Sequence, residues 1–230
     1  MKILQRGLAT IISITAIVIL LITAFEIGAY SDYGWYQKAY EKYDVLDDLE
    51  MEMKDVMYVT EEMMVYLRGN REDLVVDTIV NGEEQEFFND REKAHMVDVR
   101  NLFVGGLWIR RIAILIFALA IVLIVKTKPN WKRLLPKCFL IGFSIFIGIV
   151  GIAGILVASN FNKYFLIFHK IAFRNDLWLL NPETDLLIRM LPEGIFLDMV
   201  MRIGIIILLL MFISTVISIV VLYRFRDKNN

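Results

Sequence analysis

The chain has 230 residues, of which 57% are hydrophobic, and its mean hydropathy is +0.57. This composition excludes a soluble globular domain. The net charge is only −1, from 25 basic and 26 acidic residues, but the two signs are concentrated in different segments. There is one cysteine, Cys138, so the segments outside a membrane must fold without an internal disulfide.

Four apolar segments are each long enough to cross a hydrocarbon core about 30 Å thick, which takes about 20 helical residues. They predict an all-α membrane protein with four transmembrane helices. A mainly helical extracellular segment joins spans 1 and 2, and a short re-entrant or interfacial segment joins spans 3 and 4. The predicted spans are residues 1–28, 104–126, 138–160 and 203–230, the last of which ends in a basic tail.

The first span is predicted to be a retained signal anchor. Its apolar region is longer than the roughly 7–15 residues of a secretory signal. In addition, Ile27-Gly28-Ala29 is a poor site for a signal peptidase.

The distribution of charge predicts the orientation of the chain. Basic residues are concentrated at both termini and in the loop 127–137, whereas segment 29–103 has 19 acidic and 8 basic residues. By the positive-inside rule, both termini and the basic loop lie in the cytoplasm. The acidic segment and the segment 161–202 then lie outside the cell.

The acidic segment is predicted to contain helices and one hairpin. Apolar residues recur at helical spacing from 36 to 67, and Gly69 marks a helix end. Asn81-Gly82 suits the type I′ turn of a short hairpin.

Two further helix starts are predicted. Asn89 and Glu92 have the spacing of a capping box, and the helix they begin would continue into the second span. Asn181-Pro182 predicts a second start, with Asp185 in the first turn, where the helix dipole favours an anion.

The two histidines of the chain, His95 and His169, both fall in segments predicted to lie outside. Imidazole has an unperturbed pKa of about 6.5, so it exchanges protons near neutral pH. An isolated histidine at a membrane interface needs no functional explanation. His169, however, is followed by several polar residues, namely Arg174, Asn175, Asp176, Asn181 and Asp185. Such groups are costly at the interface unless they are hydrogen-bonded to each other or face a wet cavity, so the cluster favours a functional site.

Sequence motifs exclude several classes of site. There is no nucleotide-binding loop, no zinc-protease motif and no nucleophile elbow, so we expect no cofactor and no metal. Arg110, in the outer part of the second span, has two interpretations. It either extends to the membrane surface or binds an oxyanion.

Two motifs resemble those of the lipoprotein intramolecular transacylase (Lit) family of Gram-positive bacteria. One extends from Glu62 to Gly69, and the longer one, FHKIAFRNDLWLLNPETDLLIRMLPEGIF, extends from Phe168 to Phe196. The position of His95 ahead of the second span and the four-span layout also resemble this family.

The resemblance implies an acyltransferase in the cell membrane. Its substrates would be lipoproteins that carry S-diacylglyceryl cysteine, with membrane lipid but no nucleic acid as a further partner. The enzyme would move the sn-2 acyl chain to the cysteine α-amine and leave an N-acyl, S-monoacylglyceryl (lyso-form) lipoprotein. The active site would lie at the extracellular face, because the substrate is anchored in the outer leaflet.

The site residues follow from chemistry and motif membership together. His169 is the candidate general acid and base, with His95 or Asp176 orienting it. Candidates for binding substrate or the oxyanion are Arg68, Tyr66, Arg110, Arg174, Asn175, Trp178, Asn181, Asp185 and Glu193. We expect residues 62–69 and 168–196 to form one pocket with His95, and the two histidines to lie within about 15 Å.

Two other functions remain open from the sequence. The same histidines could serve a lipid hydrolase or an intermolecular acyltransferase, since the exclusion of water decides between hydrolysis and transfer. Alternatively, the acidic segment could belong to a non-enzymatic sensor or assembly protein, which would tolerate the loss of His169.

The predicted orientation can be tested by cysteine-accessibility labelling of intact cells. Because charge places the acidic segment outside, cysteines introduced at Ser31 and Glu83 should react with an impermeant reagent, and one at Asn130 should be protected. External labelling at Asn130 would reverse the topology.

Overall fold

A computed structural model of the protein describes residues 2–127 and 131–225. Asn130, the position chosen for protection from labelling, and the end of the basic tail lie outside this part. In chain order the elements are α1 (Lys2–Tyr30), α2 (Gly34–Lys42), α3 (Val45–Leu49), α4 (Met53–Leu67), β1 (Asp77–Val80), β2 (Glu83–Glu86), α5 (Asp90–Lys126), α6 (Trp131–Ser159), α7 (Phe161–Ala172), α8 (Leu186–Met190) and α9 (Glu193–Arg224).

Four of these helices, α1, α5, α6 and α9, are long and apolar enough to cross a membrane. The prediction of four membrane-length helices is therefore confirmed. The described residues divide into two compact units. The first contains Leu107–Ser159 with the residues before Gly28 and after Arg202, and the second contains Gly28–Gly106 and Asn160–Arg202.

In the first unit, α1 packs against α5 and α9. Ala9 lies in a cluster with Ala120 and Ile124 of α5, and Ala24 lies in a cluster with residues of α9. Both alanines of α1 are fully buried. Small residues at these positions let helix backbones approach closely, which is a main source of helix association in lipid.

Polar contacts join α1 to α5 and its C-terminal end near both ends of α1. The Gln5 Nε2 donates to the Thr127 hydroxyl at 3.1 Å, and Arg110 forms an ion pair with Glu26. Charged side chains within apolar helices are costly unless paired, so the Glu26–Arg110 pair offsets a burial penalty for each partner.

In the second unit, the helical spacing predicted from residue 36 to residue 67 is present but interrupted. Asp44 and Glu50 have φ values of 53° and 56°, in the left-handed region, and divide the segment into α2, α3 and α4. A right-handed helix cannot continue through such a residue. The periodicity correctly predicted that this segment is helical, but the structure has three short helices in place of one continuous helix.

The predicted hairpin and capping box are confirmed. Asn81 and Gly82 join β1 to β2 with φ values of 52° and 76°, as a type I′ turn requires. The Asn89 amide donates to the Glu92 carboxylate at 2.8 Å, and the Glu92 amide donates to the Asn89 side-chain oxygen at 3.0 Å. From this cap, α5 continues without interruption to Lys126.

The helix start predicted at Asn181-Pro182 is wrong, because α8 begins at Leu186. The Asp185 carboxylate accepts the Asn181 backbone N–H at 2.7 Å and holds the intervening residues in a turn. The first turn of α8 is capped from another element, since the Leu187 amide donates to Glu92 at 2.6 Å. A local sequence pattern does not identify a cap that is supplied 95 residues away.

Gly194 marks a close approach between the end of α2 and the start of α9. A Cβ at this position would overlap the ring of Tyr43, and the Tyr43 hydroxyl donates to Asp198 at 3.0 Å. Lys42 also pairs with Asp198, at 2.6 Å. The missing side chain at Gly194 therefore allows this polar contact to form.

Gly194→Ala should lower the thermal stability of the purified protein, because overpacking against a ring costs about 1–3 kcal/mol. Thermal unfolding followed by circular dichroism measures the effect. Gly204→Ala, on the same helix, is the matched control. A Cβ there meets no atom within 4 Å, so the variant should unfold at or above the wild-type temperature. Equal stability of the two variants would contradict the close approach.

Candidate active site

The two histidines lie side by side in the second unit. His95 is on the polar N-terminal part of α5 and His169 is in the last turns of α7, and their ring centroids are 6.3 Å apart. This distance is well inside the limit that we set for a shared site. The contact between His95 and His169 therefore connects α5, which leads into the second span, with the long motif at residues 168–196.

Local sequence explains the position of His169. The Asn160 side chain caps the start of α7 by accepting the Lys163 amide at 3.0 Å, and Phe173 ends the helix in an extended conformation. The chain then turns back over the imidazole. Four aromatic rings surround His169, with centroids at 4.1 Å for Phe165, 5.3 Å for Phe168, 5.5 Å for Phe173 and 5.2 Å for Trp178.

A hydrogen bond to the backbone sets the tautomer of His169. Its Nδ1 lies 2.8 Å from the carbonyl oxygen of Phe165, one helical turn earlier. Because a carbonyl can only accept, Nδ1 carries the hydrogen and donates it. The lone pair of the neutral ring is therefore on Nε2, where it can accept a proton from a substrate.

His95 is more deeply buried, with 7% of its surface exposed. Its ring meets Phe173 edge to face at 5.1 Å. The Nδ1 atom is buried and has no hydrogen-bond partner among the residues that the structure describes. A buried polar atom without a partner is costly, so a substrate group that bonded to it would remove a penalty already present in the fold.

Burial keeps both imidazoles neutral. It lowers the pKa of His95 to about 4, with a further lowering by the like charge of His169 and a partial opposite effect from Asp98. Burial also lowers the pKa of His169, against the smaller raising effect of the Phe165 carbonyl. The charged form of each ring is disfavoured because the aromatic surroundings replace water.

Asp98 is a site residue that the sequence analysis missed. It lies three residues after His95 on α5, on the same face, and its negative charge acts on His95. Asn175 donates from Nδ2 to the Asp98 carboxylate at 2.7 Å, and its backbone carbonyl accepts the Trp178 indole N–H at 2.8 Å. The i,i+3 spacing from His95 was the signal in the sequence that could have identified Asp98.

Asn175 and Trp178 were predicted as site residues. The structure places the Trp178 ring 5.2 Å from that of His169, whereas Asn175 contacts Asp98, one turn from His95. Arg174, Asn175 and Asp176 occupy one turn and are all exposed. The backbone carbonyl of Asp176 accepts a hydrogen bond from Arg91 at 2.6 Å. The carboxylate whose charge acts on His95 is that of Asp98.

Asn181 and Asp185 form a hydrogen-bond network with Asn89 and Glu92, in which the two carboxylates are buried and the two asparagines are exposed. The Asp185 carboxylate accepts the Asn181 amide and the Asn89 side-chain N–H, at 2.7 and 2.8 Å. Burial raises the pKa of Asp185, but these hydrogen bonds outweigh it and the net shift is downward. Both residues therefore hold the long motif against α5, one turn before His95.

Glu92 was predicted only as part of the capping box at the start of α5, and its contact with the long motif was not predicted. It is fully buried and accepts the backbone amides of Asn89 and Leu187. Burial raises its pKa despite these hydrogen bonds.

The 62–69 motif lies against α5 at another point. The Arg100 guanidinium stacks 5.0 Å from the Tyr66 ring and donates to the Tyr66 carbonyl at 3.2 Å. The Arg68 guanidinium lies 4.4 Å from the ring of Tyr30. These contacts place Tyr66 beside Arg100 of α5 and Arg68 beside Tyr30 of α1, rather than among the rings that surround His169.

The remaining predicted residues have other surroundings. Arg110 belongs to the first unit, where Glu26 pairs with it. Glu193, the exposed first residue of α9, accepts a hydrogen bond from Asn162 at 3.3 Å. Within residues 2–127 and 131–225, no three histidine, cysteine or acidic side chains are grouped as a set of metal ligands.

Comparison with known proteins identifies the family and the fold that this chain resembles. A family model described as lipoprotein intramolecular transacylase Lit matches residues 10–196. The solved structure of the membrane integral lipoprotein intramolecular transacylase Lit from Bacillus cereus is similar with a TM-score of 0.79 and 22% identity, over 98% of this chain and 99% of that chain. A second structure of the Bacillus cereus protein, with one histidine mutated to alanine, gives a TM-score of 0.73 and 20% identity over 96% and 95%. No curated protein matches the chain.

The neutral state of the two histidines can be tested by NMR titration, because the chain contains only these two. With ¹³C-labelled histidine, both midpoints should lie below 6.5, that of His95 at about 4. Each folded pKa lies below the unfolded value, so the unfolded state binds protons more readily. The free energy of unfolding should therefore be highest above about pH 6.5 and decrease as the pH falls below it.

A variant assigns the two signals and provides the control. His169→Gln leaves one resonance, and the midpoint of His95 should rise because a like charge has been removed. A His95 midpoint at or above 6.5 in the wild-type protein would contradict the burial of this ring in solution.

Proposed function

The chain belongs to the lipoprotein intramolecular transacylase Lit family, and from that membership we propose how its two histidines carry out the reaction. The protein is a multi-pass membrane enzyme that acts on lipoproteins. It moves the sn-2 acyl chain of S-diacylglyceryl cysteine to the cysteine α-amine and produces the lyso-form. The observation that carries the proposed mechanism is the pair of buried imidazoles, 6.3 Å apart, in which Nδ1 of His169 bonds to the Phe165 carbonyl and Nε2 is left to accept a proton.

The first step is attack of the α-amine on the carbonyl carbon of the sn-2 ester. An α-amine has a pKa of about 7.7–8.0, so part of it is a free nucleophile at neutral pH. The new C–N bond forms as an N–H proton passes to Nε2 of His169. The carbonyl oxygen becomes the oxyanion of a tetrahedral intermediate.

The second step is collapse of this intermediate. The bond from carbon to the sn-2 oxygen breaks, and the imidazolium of His169 returns its proton to the departing oxygen. One proton is thus moved from nitrogen to oxygen, and the products are an amide and a glycerol hydroxyl. General base followed by general acid catalysis of this kind contributes about 10²–10⁴-fold. The proposed chemistry needs no nucleotide, since conversion of an ester to an amide is downhill, and its proton transfers are assigned to histidine rather than to a metal.

His169 is better suited than His95 to this proton cycle. Its donor hydrogen bond to Phe165 fixes the ring and helps to stabilise the imidazolium, because donation strengthens when the ring is charged. His95 has the lower pKa and is the weaker base. We assign His95 the partner role, in which its unpaired Nδ1 binds a polar group of the substrate.

The surroundings favour transfer over hydrolysis. The rings at 4.1–5.5 Å from His169 occupy the space in which a competing water would stand. The amine and the ester belong to one substrate molecule, so their proximity adds an effective concentration that free water lacks. A lipid hydrolase remains the second candidate, and its product differs in mass.

We place this site at the extracellular face, with both termini in the cytoplasm. Support comes from the acidic excess of segment 29–103 and from the basic residues at the other ends of the spans. The outer leaflet is also where a diacylglyceryl lipoprotein is anchored.

The mechanism is tested with His169→Gln, which can hydrogen-bond but cannot cycle a proton. The variant should lower the rate of transfer by about 10²–10⁴-fold, because general acid–base catalysis is lost. The amide shift leaves the mass of the lipoprotein unchanged, so fragmentation of its N-terminal peptide must locate the acyl chain on nitrogen. Hydrolysis would instead remove the mass of one acyl chain.

The matched control is Lys170→Gln, an exposed neighbour on the same helix, which should retain wild-type activity. His95→Ala should also insert normally and leave the client with a free amine. Near wild-type production of the N-acyl form by His169→Gln would refute the assignment of His169 as acid and base.

A further inference from the structure

The proposed reaction needs a group that recognises the α-amino end of the substrate, and Asp98 has the required chemistry. We propose that the Asp98 carboxylate is the anionic contact for the α-amino nitrogen of the substrate cysteine. It binds this nitrogen as an ammonium ion on arrival. The ammonium ion then releases one proton to solvent, and the carboxylate stabilises the positive charge that develops on the resulting amine as it attacks the ester. This assignment rests on the proposed function and adds a residue that recognises the nucleophile.

The position of Asp98 supports this role. It is one helical turn from His95, half-buried, and on the face of α5 that meets α7 through the contact between His95 and His169. Asn175 orients the carboxylate from the segment that also supplies Trp178. One carboxylate oxygen, Oδ2, accepts from Asn175 at 2.7 Å, which leaves acceptor positions on Oδ1 for another donor.

Asp98 is the anionic group whose charge acts on the histidine pair, so it is the candidate to bind an ammonium ion. The groups whose charge acts on His95 are His169 and Asp98, and of these only Asp98 is an anion. The aromatic rings around His169 add the negative faces that attract a cation. An ammonium group that enters beside His95 therefore meets one carboxylate and several aromatic rings.

The same charge favours the transition state. As the neutral amine attacks, positive charge develops on its nitrogen in the transition state, before the proton has passed completely to His169. A fixed carboxylate interacts more strongly with that nitrogen than with the neutral amine, and only such a difference accelerates the chemical step. Asp98 is thereby distinguished from a residue that only holds Asn175 in place.

The test uses substrate analogues that cannot react. An S-(2,3-dialkoxypropyl)cysteinyl peptide has ether bonds in place of both esters, and it is prepared with a free α-amine or with an N-acetyl group. Each analogue is measured as an inhibitor of acyl transfer in the full-length protein. The wild-type enzyme should be inhibited about tenfold more strongly by the free amine, as expected for a charge-assisted contact.

The variant that decides the question is Asp98→Asn, which can still accept the hydrogen bond from Asn175 but has lost the charge. The two analogues should inhibit it equally, and its kcat should fall. Asp98→Glu restores the charge and should recover part of the preference for the free amine. Asp90→Asn, at a fully exposed position of the same helix, is the control and should retain the wild-type preference.

The outcomes separate this proposal from the proposed function. Equal inhibition of the wild-type enzyme by both analogues, or an unchanged preference in Asp98→Asn, would exclude Asp98 as the ammonium contact while transfer itself continues. If Asp98→Asn does not fold, the two analogues are compared on the wild-type enzyme and on Asp98→Glu, and a preference for the free amine in both supports Asp98 as the ammonium contact. Failure of the proposed function would appear differently, as the absence of N-acylated product from the wild-type enzyme.

Discussion

The arrangement of the site depends on one buried carboxylate, that of Glu92. It accepts the amide of Asn89, the residue before α5, and the amide of Leu187, the second residue of α8. Both amides are at helix starts, where backbone N–H groups lack partners within their own helix. Loss of this side chain would leave the buried Leu187 amide without its acceptor, and an unsatisfied buried donor costs about 1–3 kcal/mol. His95 lies one turn further along α5, so its position relative to the long motif depends on this contact.

The second constraint is the exclusion of water from the histidines. Aromatic packing around His169 disfavours the charged imidazole, and in the proposed mechanism the neutral ring is the base. That proposal links stability to catalysis, because burial that favours the neutral rings also destabilises the fold when acid protonates them. The hydrogen bond from His169 to Phe165 moderates this effect and orients the ring.

Charge is used differently in the two units. In the first unit, Arg110 and Glu26 pair with each other between apolar helices, where an unpaired charge would be costly. In the second unit, the partner of Asp98 is the neutral side chain of Asn175, which donates a hydrogen bond to it. A carboxylate that is hydrogen-bonded but not neutralised can still attract a cation, whereas one that is paired with arginine cannot do so as readily.

The sequence by itself determined the membrane class, the number of long apolar helices, the hairpin turn and the capping box. Each of these depends on local properties, such as the length of an apolar segment or the φ angles that Asn81 and Gly82 can adopt. The two histidines were also identifiable, because imidazole is the side chain that titrates near neutral pH.

Only the tertiary structure decided which polar groups meet. Asp98 reaches Asn175 across 77 positions and Glu92 reaches Leu187 across 95, and no spacing rule covers such distances. The same contacts explain the errors, since Asp185 bonds back to Asn181 and prevents the helix start that Asn181-Pro182 predicts locally. Local patterns determine backbone conformation, whereas the hydrogen-bond partners of buried polar groups are set by the packing of distant segments.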